Sequence, residues 1–281
     1  MSKFPDDVDP EEFTVVTRRV LLDALEALAE HRKAIVLVGG QAVHIRTART
    51  PLVSSAYTSD ADLSLDPAQV LDQPLLQEAM KAAGFEMLGQ PGAWTRQESI
   101  HGALHRVAVD LMVPDKLTSN PGSQKRGVPI DPHFTNAARR TPGLEAAMFD
   151  FDELLVPSLE PHADQREIVV QVAGPAALLI AKAFKIRDRL ADPRPGREAD
   201  KDAADVVRIM TVAGDVRSTF DELAKNTQIS EVVEEARELL VEQFGFTRAP
   251  GVTMAVNALA GDMAADRIRI LIPTLVKRHF T

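Results

Sequence analysis

The chain has 281 residues, 45% hydrophobic and 26% charged, which is a globular balance and enough for one large domain or two ordinary ones. It contains no cysteine, which excludes disulfides, thiolate metal ligands and a cysteine nucleophile, and the lack of a long apolar run or secretory signal predicts a cytoplasmic protein without a membrane partner. The formal net charge of −9 repels polyanions, so a nucleic-acid substrate would require a local basic patch or metal ions.

The first predicted elements are a helix, a strand and a second helix. Asp9, followed by a proline, is a typical helix start, and leucines at helical spacing predict that the helix covers residues 9–30. A β-branched run predicts a strand over 34–38. The glycine pair Gly39-Gly40 then turns the chain into a predicted helix over 41–48.

The next predicted strand covers residues 60–65, where polar and apolar residues alternate. The segment 66–84 begins with Asp-Pro and is predicted to be helical. Three further strands are predicted, over 85–88, 93–97 and 104–113. Strands and helices are therefore mixed rather than strictly alternating, which favours an α+β fold.

A polar, turn-rich loop over 114–126 is a candidate mobile lid. It carries three cations that could steer an anionic acceptor such as tRNA, or could simply be solvated: Lys116, Lys125 and Arg126. Extended segments are then predicted over 145–160 and 166–173. The second of these ends at a Gly-Pro pair, where we place a domain boundary.

Beyond this boundary the apolar spacing is helical throughout. Four helices are predicted, over 176–191, 198–212, 229–246 and 253–280, with a linker at 192–197 and breaks or kinks at Gly261 and Pro273. We therefore predict an α+β fold of two domains. Residues 1–173 would form a mixed sheet with flanking helices, and residues 174–281 a C-terminal helical domain.

Three aspartates are the candidate metal ligands. Residues i and i+2 of a strand point to the same face, so Asp60 and Asp62 emerge side by side and their repulsion requires a cation. Asp110 lies in an apolar strand, where an acid without a partner is costly. Such an oxygen-rich set suits Mg²⁺, with Mn²⁺ as an alternative.

The glycine pair between the first strand and the second helix is a candidate phosphate cradle. Glycines at 39 and 40 let backbone N–H groups approach a phosphate, and the N-terminus of the following helix adds a favourable field. A glycine pair after a strand also commonly does no more than turn the chain. The aspartate pair downstream favours the phosphate-binding interpretation.

These motifs resemble a known superfamily. Three segments look like the signature of the DNA polymerase β-type nucleotidyltransferases: VGGQ at 38–41, SDADL at 59–63 and VDL at 109–111. The C-terminal pattern is similar to the AbiEii/AbiGii-like toxins, including the MenT group: IAK at 180–182, Arg189 and KDAADVV at 201–207. The resemblance covers roughly residues 34 to 210.

The resemblance implies transfer of a nucleoside monophosphate from an NTP to an acceptor hydroxyl. It assigns metal binding to the three aspartates, and phosphate contact to Lys182, with Lys185 as a rival and Asp205 as the acidic partner. Asp202 and Asp205 could instead be ordinary acids on a helix surface, and Asp202 more readily than Asp205. The candidate catalytic residues are then Asp60, Asp62, Asp110, Lys182 and Asp205. The candidate nucleotide-binding residues are Gly39, Gly40, Gln41, Arg46, Ser59 and Lys182.

The sequence does not identify the acceptor of the nucleoside monophosphate. In the toxin relatives the implied outcome is growth arrest through modification of a tRNA 3′ end, controlled by a cognate antitoxin. A small molecule such as an aminoglycoside, a protein hydroxyl, and a nucleotide-binding regulator without turnover are the alternatives. Zinc is disfavoured because Gly102 interrupts the only helical histidine spacing, between His101 and His105.

Overall fold

The computed structural model describes residues 5, 7–52, 57–192 and 200–280. Within these ranges the strands are β1 (Ile35–Val38), β2 (Asp60–Leu65), β3 (Glu86–Met87), β4 (Ala93–Ile100), β5 (Ala103–Pro114), β6 (Arg139–Thr141), β7 (Phe151–Pro157) and β8 (Glu167–Ala173). The helices are α1 (Pro10–Ala27), α2 (Gly39–Arg46), α3 (Leu76–Ala82), α4 (Pro175–Ala191), α5 (Asp200–Val212), α6 (Val216–Ala224), α7 (Ser230–Phe244), α8 (Pro250–Ala258) and α9 (Ala265–Phe280).

The eight strands of the described residues form one mixed sheet, and seven of them follow the order β3-β4-β5-β2-β1-β8-β7. β2 is antiparallel to β1 and parallel to β5, whereas β1 is parallel to β8. The short β6 pairs with the end of β5, beyond the point where β4 stops. The predicted α+β architecture, a mixed sheet with helices around it and several helices after it, is confirmed.

The first elements follow local signals closely. Asp9 caps α1, since its Oδ1 accepts a hydrogen bond of 2.8 Å from the backbone N–H of Glu11. The helix ends at Ala27, three residues before the predicted end, because a 3₁₀ turn over Ala29–Ala34 leads the chain into β1. The predicted strand over 60–65 has the bounds of β2.

Other predictions in the first half were wrong. The helix expected over 66–84 is limited to α3, because Asp66 instead closes a turn by accepting hydrogen bonds from the Ala68 N–H and the Gln69 side chain. The extended segment expected over 145–160 is limited to β7, since the chain forms a 3₁₀ turn at Glu145–Met148. Neither β6 nor α6 was predicted.

The helical second half packs α4 against α5 and α7, and α5 against α8. α4 begins at the predicted Gly-Pro pair, and Asp150 holds its first turn by accepting a 2.8 Å hydrogen bond from the Ala177 N–H. The last predicted helix is divided into α8 and α9 around Gly261, while Pro273 lies inside α9. Most of the linker over 192–197 and the predicted helix start at 198 lie outside the described residues.

The two halves are in contact, because α2, which follows β1, packs on α4 and α5. This contact positions the ends of the central strands against the helical half. The division into domains at residue 174 stays a prediction. None of the helices in the described ranges has the length and apolar character needed to cross a membrane.

Candidate active site

The three predicted acids share one face of the sheet. On β2, Asp62 is the register partner of Val38 on β1 and of Asp110 on β5. Register partners on neighbouring strands point to the same face, and so do residues two apart on one strand. Asp60, Asp62 and Asp110 therefore lie on a common face in the middle of the sheet.

The segment before β2 fixes how these acids are presented. Thr58 Oγ1 donates a 3.1 Å hydrogen bond to the backbone carbonyl of Asp60, and its distance to Asp60 Oδ1 is 3.4 Å. Ser59 and Asp62 are only 9% and 8% exposed. Asp62 therefore lies in a recess of the protein, whereas Asp60 and Asp110 are partly exposed.

The glycine pair lies directly against this recess. Gly39 has a φ of 64°, a left-handed conformation that favours glycine, and a Cβ at this position would overlap the Asp62 carboxylate. A Cβ at Gly40 would lie 2.6 Å from Thr58 Oγ1. The pair thus brings the first N–H groups of α2 next to the acids, an arrangement in which a phosphate could be bound.

Replacing Gly39 with alanine is expected to displace the Asp62 carboxylate, and thus to abolish any activity that depends on this carboxylate. The left-handed conformation should also lower the free energy of unfolding by about 1–2 kcal/mol. Gly89 is a matched control, because it has a φ of 70° and a Cβ added there would meet no described atom within 4 Å. Denaturant unfolding should show this loss for Gly89→Ala and a larger one for Gly39→Ala, because only the latter also overlaps the Asp62 carboxylate, and only Gly39→Ala should lose that activity. An active Gly39→Ala protein would contradict the close approach.

The helical half contributes a buried ion-pair cluster. Lys182 on α4 is 3% exposed, and its Nζ lies 2.7 Å from Asp202 Oδ1 and 2.7 Å from Asp205 Oδ2 on α5. Burial opposes the charge of Lys182, but the two carboxylates outweigh it and raise the pKa of the ammonium. Burial likewise opposes ionisation of Asp202 and Asp205, yet Lys182 and further cations lower the pKa of both carboxyls. All three groups are therefore charged at neutral pH.

Four further cations surround the two carboxylates, and one of them is Arg208, whose Nη1 lies 3.8 Å from Asp205 Oδ1. Lys185 Nζ lies 3.4 Å from Asp202 Oδ1, Arg189 pairs with Asp202 Oδ2, and Lys201 Nζ lies 3.4 Å from Asp205 Oδ2. Asp202 is only 3% exposed, so its interpretation as a surface acid was wrong. The sequence contained one signal that Asp202 belongs to this cluster: it lies three residues before Asp205, and therefore on the same face of one helix.

Asp60 and Asp62, but not Asp110, line one small cavity of about 40 Å³ together with cations of the helical half. Five predicted site residues line it: Gly40, Ser59, Asp60, Asp62 and Lys182. Lys185, the rival of Lys182 for the phosphate, also lines it. Four more lining residues were not among the candidate catalytic or binding residues: Thr58, Arg189, Lys201 and Asp202. None of these described wall residues has an apolar side chain. Such a wall suits a highly charged group without an apolar part, such as a polyphosphate with its metal ion.

A second cavity of about 240 Å³ adjoins it and shares Asp62, Lys182 and Lys185. Its wall is partly apolar and includes Met112, Leu144 and Leu178. Its wall also includes five cations and two carboxylates: Arg126, Arg139, Arg140, Lys182, Lys185, Asp62 and Asp188. Three of the cations, Arg139, Arg140 and Lys182, are paired with carboxylates that lie outside this wall. The size and mixed character of this cavity suit an organic ligand, and its exposed Arg126 favours an anionic one.

Two side chains that were predicted to bind nucleotide, those of Gln41 and Arg46, line neither cavity. Gln41 is 1% exposed, and its Oε1 accepts a 2.9 Å hydrogen bond from Arg18 Nε on α1. Arg46 lies at the other end of α2, where its guanidinium donates to the carbonyls of Val172 and Ala173. Both side chains attach α2 to its neighbours, and the sequence alone did not show which way each would point.

Asp110 lies on the predicted face but is held by a cation. Its Oδ2 accepts a 2.6 Å hydrogen bond from Arg139 Nη2, and Arg139 lines the larger cavity. Among the described residues, no group of three histidine, aspartate or glutamate side chains has an arrangement that could hold a metal ion. The donor set is nevertheless all oxygen and is carried by two paired strands, so its chemistry fits Mg²⁺ or Mn²⁺.

The cleft can therefore be described as a row of strand-borne acids facing helix-borne cations, with a glycine turn between them. No protein-family model and no curated protein matches this chain. Its interpretation depends on the chemistry of the residues that meet there.

Proposed function

We propose that this chain is a metal-dependent nucleotidyltransferase that moves a nucleoside monophosphate from an NTP to an acceptor hydroxyl. The observation that carries the proposal is that Asp60 and Asp62 meet Lys185, Arg189 and Lys201 in one cavity. Carboxylates alone would favour a cation site, and lysines alone an anion site. Their combination fits a ligand that has both charges, a polyphosphate bound to a divalent metal.

In this proposal the helical cations bind the donor phosphates. Lys185 and Lys201 are 39% and 30% exposed, so their ammonium groups are accessible from the cavity. Lys182 is buried between two carboxylates and acts mainly by holding α4 and α5 in place. Gly39 and Gly40 present the start of α2 to the same phosphates.

The transfer itself is a displacement at the α-phosphorus. The acceptor oxygen forms a bond to this phosphorus, the bond to the bridging oxygen breaks, and pyrophosphate leaves with the bonding electrons. The proton of the acceptor hydroxyl passes to a carboxylate of the site. A divalent metal held by Asp60, Asp62 and Asp110 would lower the pKa of the acceptor hydroxyl and neutralise the leaving pyrophosphate.

The charge of the larger cavity favours an anionic acceptor. The attacking and leaving oxygens lie roughly in line in such reactions. With the donor phosphates in the small cavity, the acceptor approaches from the adjoining one, whose wall includes the exposed Arg126 and the 39% exposed Lys185. An aminoglycoside carries several ammonium groups and would be repelled there, whereas an RNA 3′ end, such as that of tRNA, would be attracted.

The resemblance to the AbiEii-like toxins adds a biological context to this proposal. It supports growth arrest through RNA modification, with a cognate antitoxin as the protein partner. A cell that expresses the chain should then stop growing, and a variant with Asp62 replaced by asparagine should restore growth. Normal growth on expression of active protein would argue against the toxin role and leave the transferase activity unaffected.

The transferase activity is tested with labelled nucleotides. The full chain is incubated with Mg²⁺ or Mn²⁺, total tRNA and each NTP in turn, labelled either at the α- or at the γ-phosphate. We expect label from an α-labelled NTP on RNA, and none from a γ-labelled NTP, because the nucleoside monophosphate is transferred. Label on protein would indicate a protein acceptor, and absence of transfer with every NTP and acceptor would contradict the proposal.

A further inference from the structure

Arg139 occupies a position that the proposed metal site would need. Its Nη2 lies 2.6 Å from Asp110 Oδ2 and 3.6 Å from the sulfur of Met112. On β6, Arg139 is the register partner of Met112, which follows Asp110 by two residues on β5. The guanidinium therefore lies on the same face as the acids and directly beside the third of them.

The three acids need a positive charge nearby, whether or not a metal ion is bound. Asp62 and Asp110 are paired across two strands, and like charges directly opposite each other destabilise a sheet. All three acids affect the pKa of Arg139. Burial opposes its charge, but the hydrogen bond to Asp110 and the charges of Asp110, Asp62 and Asp60 raise its pKa.

We propose that Arg139 is an exchangeable counter-ion, which a divalent metal displaces from Asp110 when it binds to the three aspartates. This inference rests on the proposed function, since it requires that these acids hold a metal. A guanidinium carries one positive charge and reaches Asp110, whereas a divalent ion carries two and can contact several carboxylates at once. Metal binding therefore has to compete with the Arg139–Asp110 pair.

The structure provides space for the displaced side chain. Arg139 is 21% exposed and lines the larger cavity of about 240 Å³. When it leaves Asp110, its charge is no longer paired with that carboxylate, and it can turn further into this cavity, whose wall also includes Arg126 and Lys185. Metal binding thereby increases the affinity of the cavity for an anionic ligand, so Arg139 acts as a positioning residue that couples the two cavities.

The first test measures Mn²⁺ binding to the full chain by calorimetry or electron paramagnetic resonance. Replacing Arg139 with glutamine removes the competing charge, so the dissociation constant for Mn²⁺ should fall on the order of tenfold. Arg126→Gln is the matched control, because Arg126 lines the same cavity but pairs with Gln90 and not with an acid of the site. Its Mn²⁺ affinity should stay within about twofold of the wild type.

The outcomes separate the inference from the proposed function. Unchanged or weaker Mn²⁺ binding in Arg139→Gln would overturn the exchange, since Arg139 would then orient Asp110 for the metal and not compete with it. Equal tightening in Arg126→Gln would overturn it too, because a general field effect would explain the result. Absence of Mn²⁺ binding in every protein would remove the metal site and with it the proposed function.

A second test uses the wild-type chain and does not depend on the folding of a variant. Phenylglyoxal modifies arginine side chains, and mass spectrometry of the peptides locates the modified residue. We expect Mn²⁺ to increase the modification rate of Arg139 severalfold, while the exposed Arg126 serves as an internal reference. An unchanged rate for Arg139 at saturating Mn²⁺ would show that it keeps its partner, and the inference would fail.

Discussion

Replacing Asp62 with asparagine is expected to abolish nucleotidyl transfer. Asp62 is the acid that lines both cavities, it is 8% exposed, and it lies against Gly39 and beside Asp110. The amide has nearly the same shape but no charge to hold a divalent metal. Metal-ion catalysis contributes several kcal/mol and each 1.4 kcal/mol is tenfold, so the rate should fall on the order of 10³-fold or more.

The measurement is the single-turnover rate of label incorporation from an α-labelled NTP. Asp152→Asn is the matched control, because it makes the same change of charge at a 65% exposed side chain on β7, where Asp152 pairs with Arg46. It should transfer label at the wild-type rate. Circular dichroism and denaturant unfolding should show that both variants are folded. A rate near that of the wild type in Asp62→Asn would exclude this residue from the chemistry.

The acids of β2 could be predicted because their arrangement is local. The alternation of a strand places Asp60 and Asp62 on one face whatever its neighbours are. The glycine pair was also locally visible, although only the structure shows how closely Gly39 approaches Asp62. The alignment of Asp62 with Asp110 depends on β2 pairing in parallel with β5, more than 40 positions later in the chain. Sequence spacing does not encode that register.

The charged residues outside the strands were harder to interpret. Helical periodicity shows that Asp202 and Asp205 share a face, but not that α4 covers this face and buries both. Arg139 was missed because β6 has only three residues and contains no apolar alternation. In both cases the deciding fact is a tertiary partner, and a polar side chain on an isolated element is otherwise expected to be solvated.

Replacing Lys182 with methionine is expected to cause the largest loss of stability in this site. The change keeps a long side chain but removes the cation that lies 2.7 Å from both Asp202 and Asp205. Breaking a buried ion pair by removing one partner costs about 3–5 kcal/mol, because a buried charge loses its compensation. Lys185→Met is the matched control, since Lys185 is 39% exposed and should contribute at most about 1 kcal/mol. Nucleotide binding should be weakened in the Lys185 variant even though it stays stable.

The pH dependence of this loss follows from the shifted pKa values. The pKa values of Asp202 and Asp205 are lowered in the fold, so their contribution is complete above the unfolded pKa of about 3.9 and is lost as the pH falls through the folded values. The pKa of Lys182 is raised, so its contribution is complete below about 10.4 and is lost only as the pH rises beyond that. The difference in unfolding free energy between the wild type and Lys182→Met should therefore be nearly constant between about pH 5 and 9 and should shrink below about pH 4.

Denaturant unfolding across this pH range measures the difference. A difference that does not depend on pH at the acid end, or a Lys185→Met variant that is equally unstable, would mean that lost packing and not the ion pairs accounts for the effect.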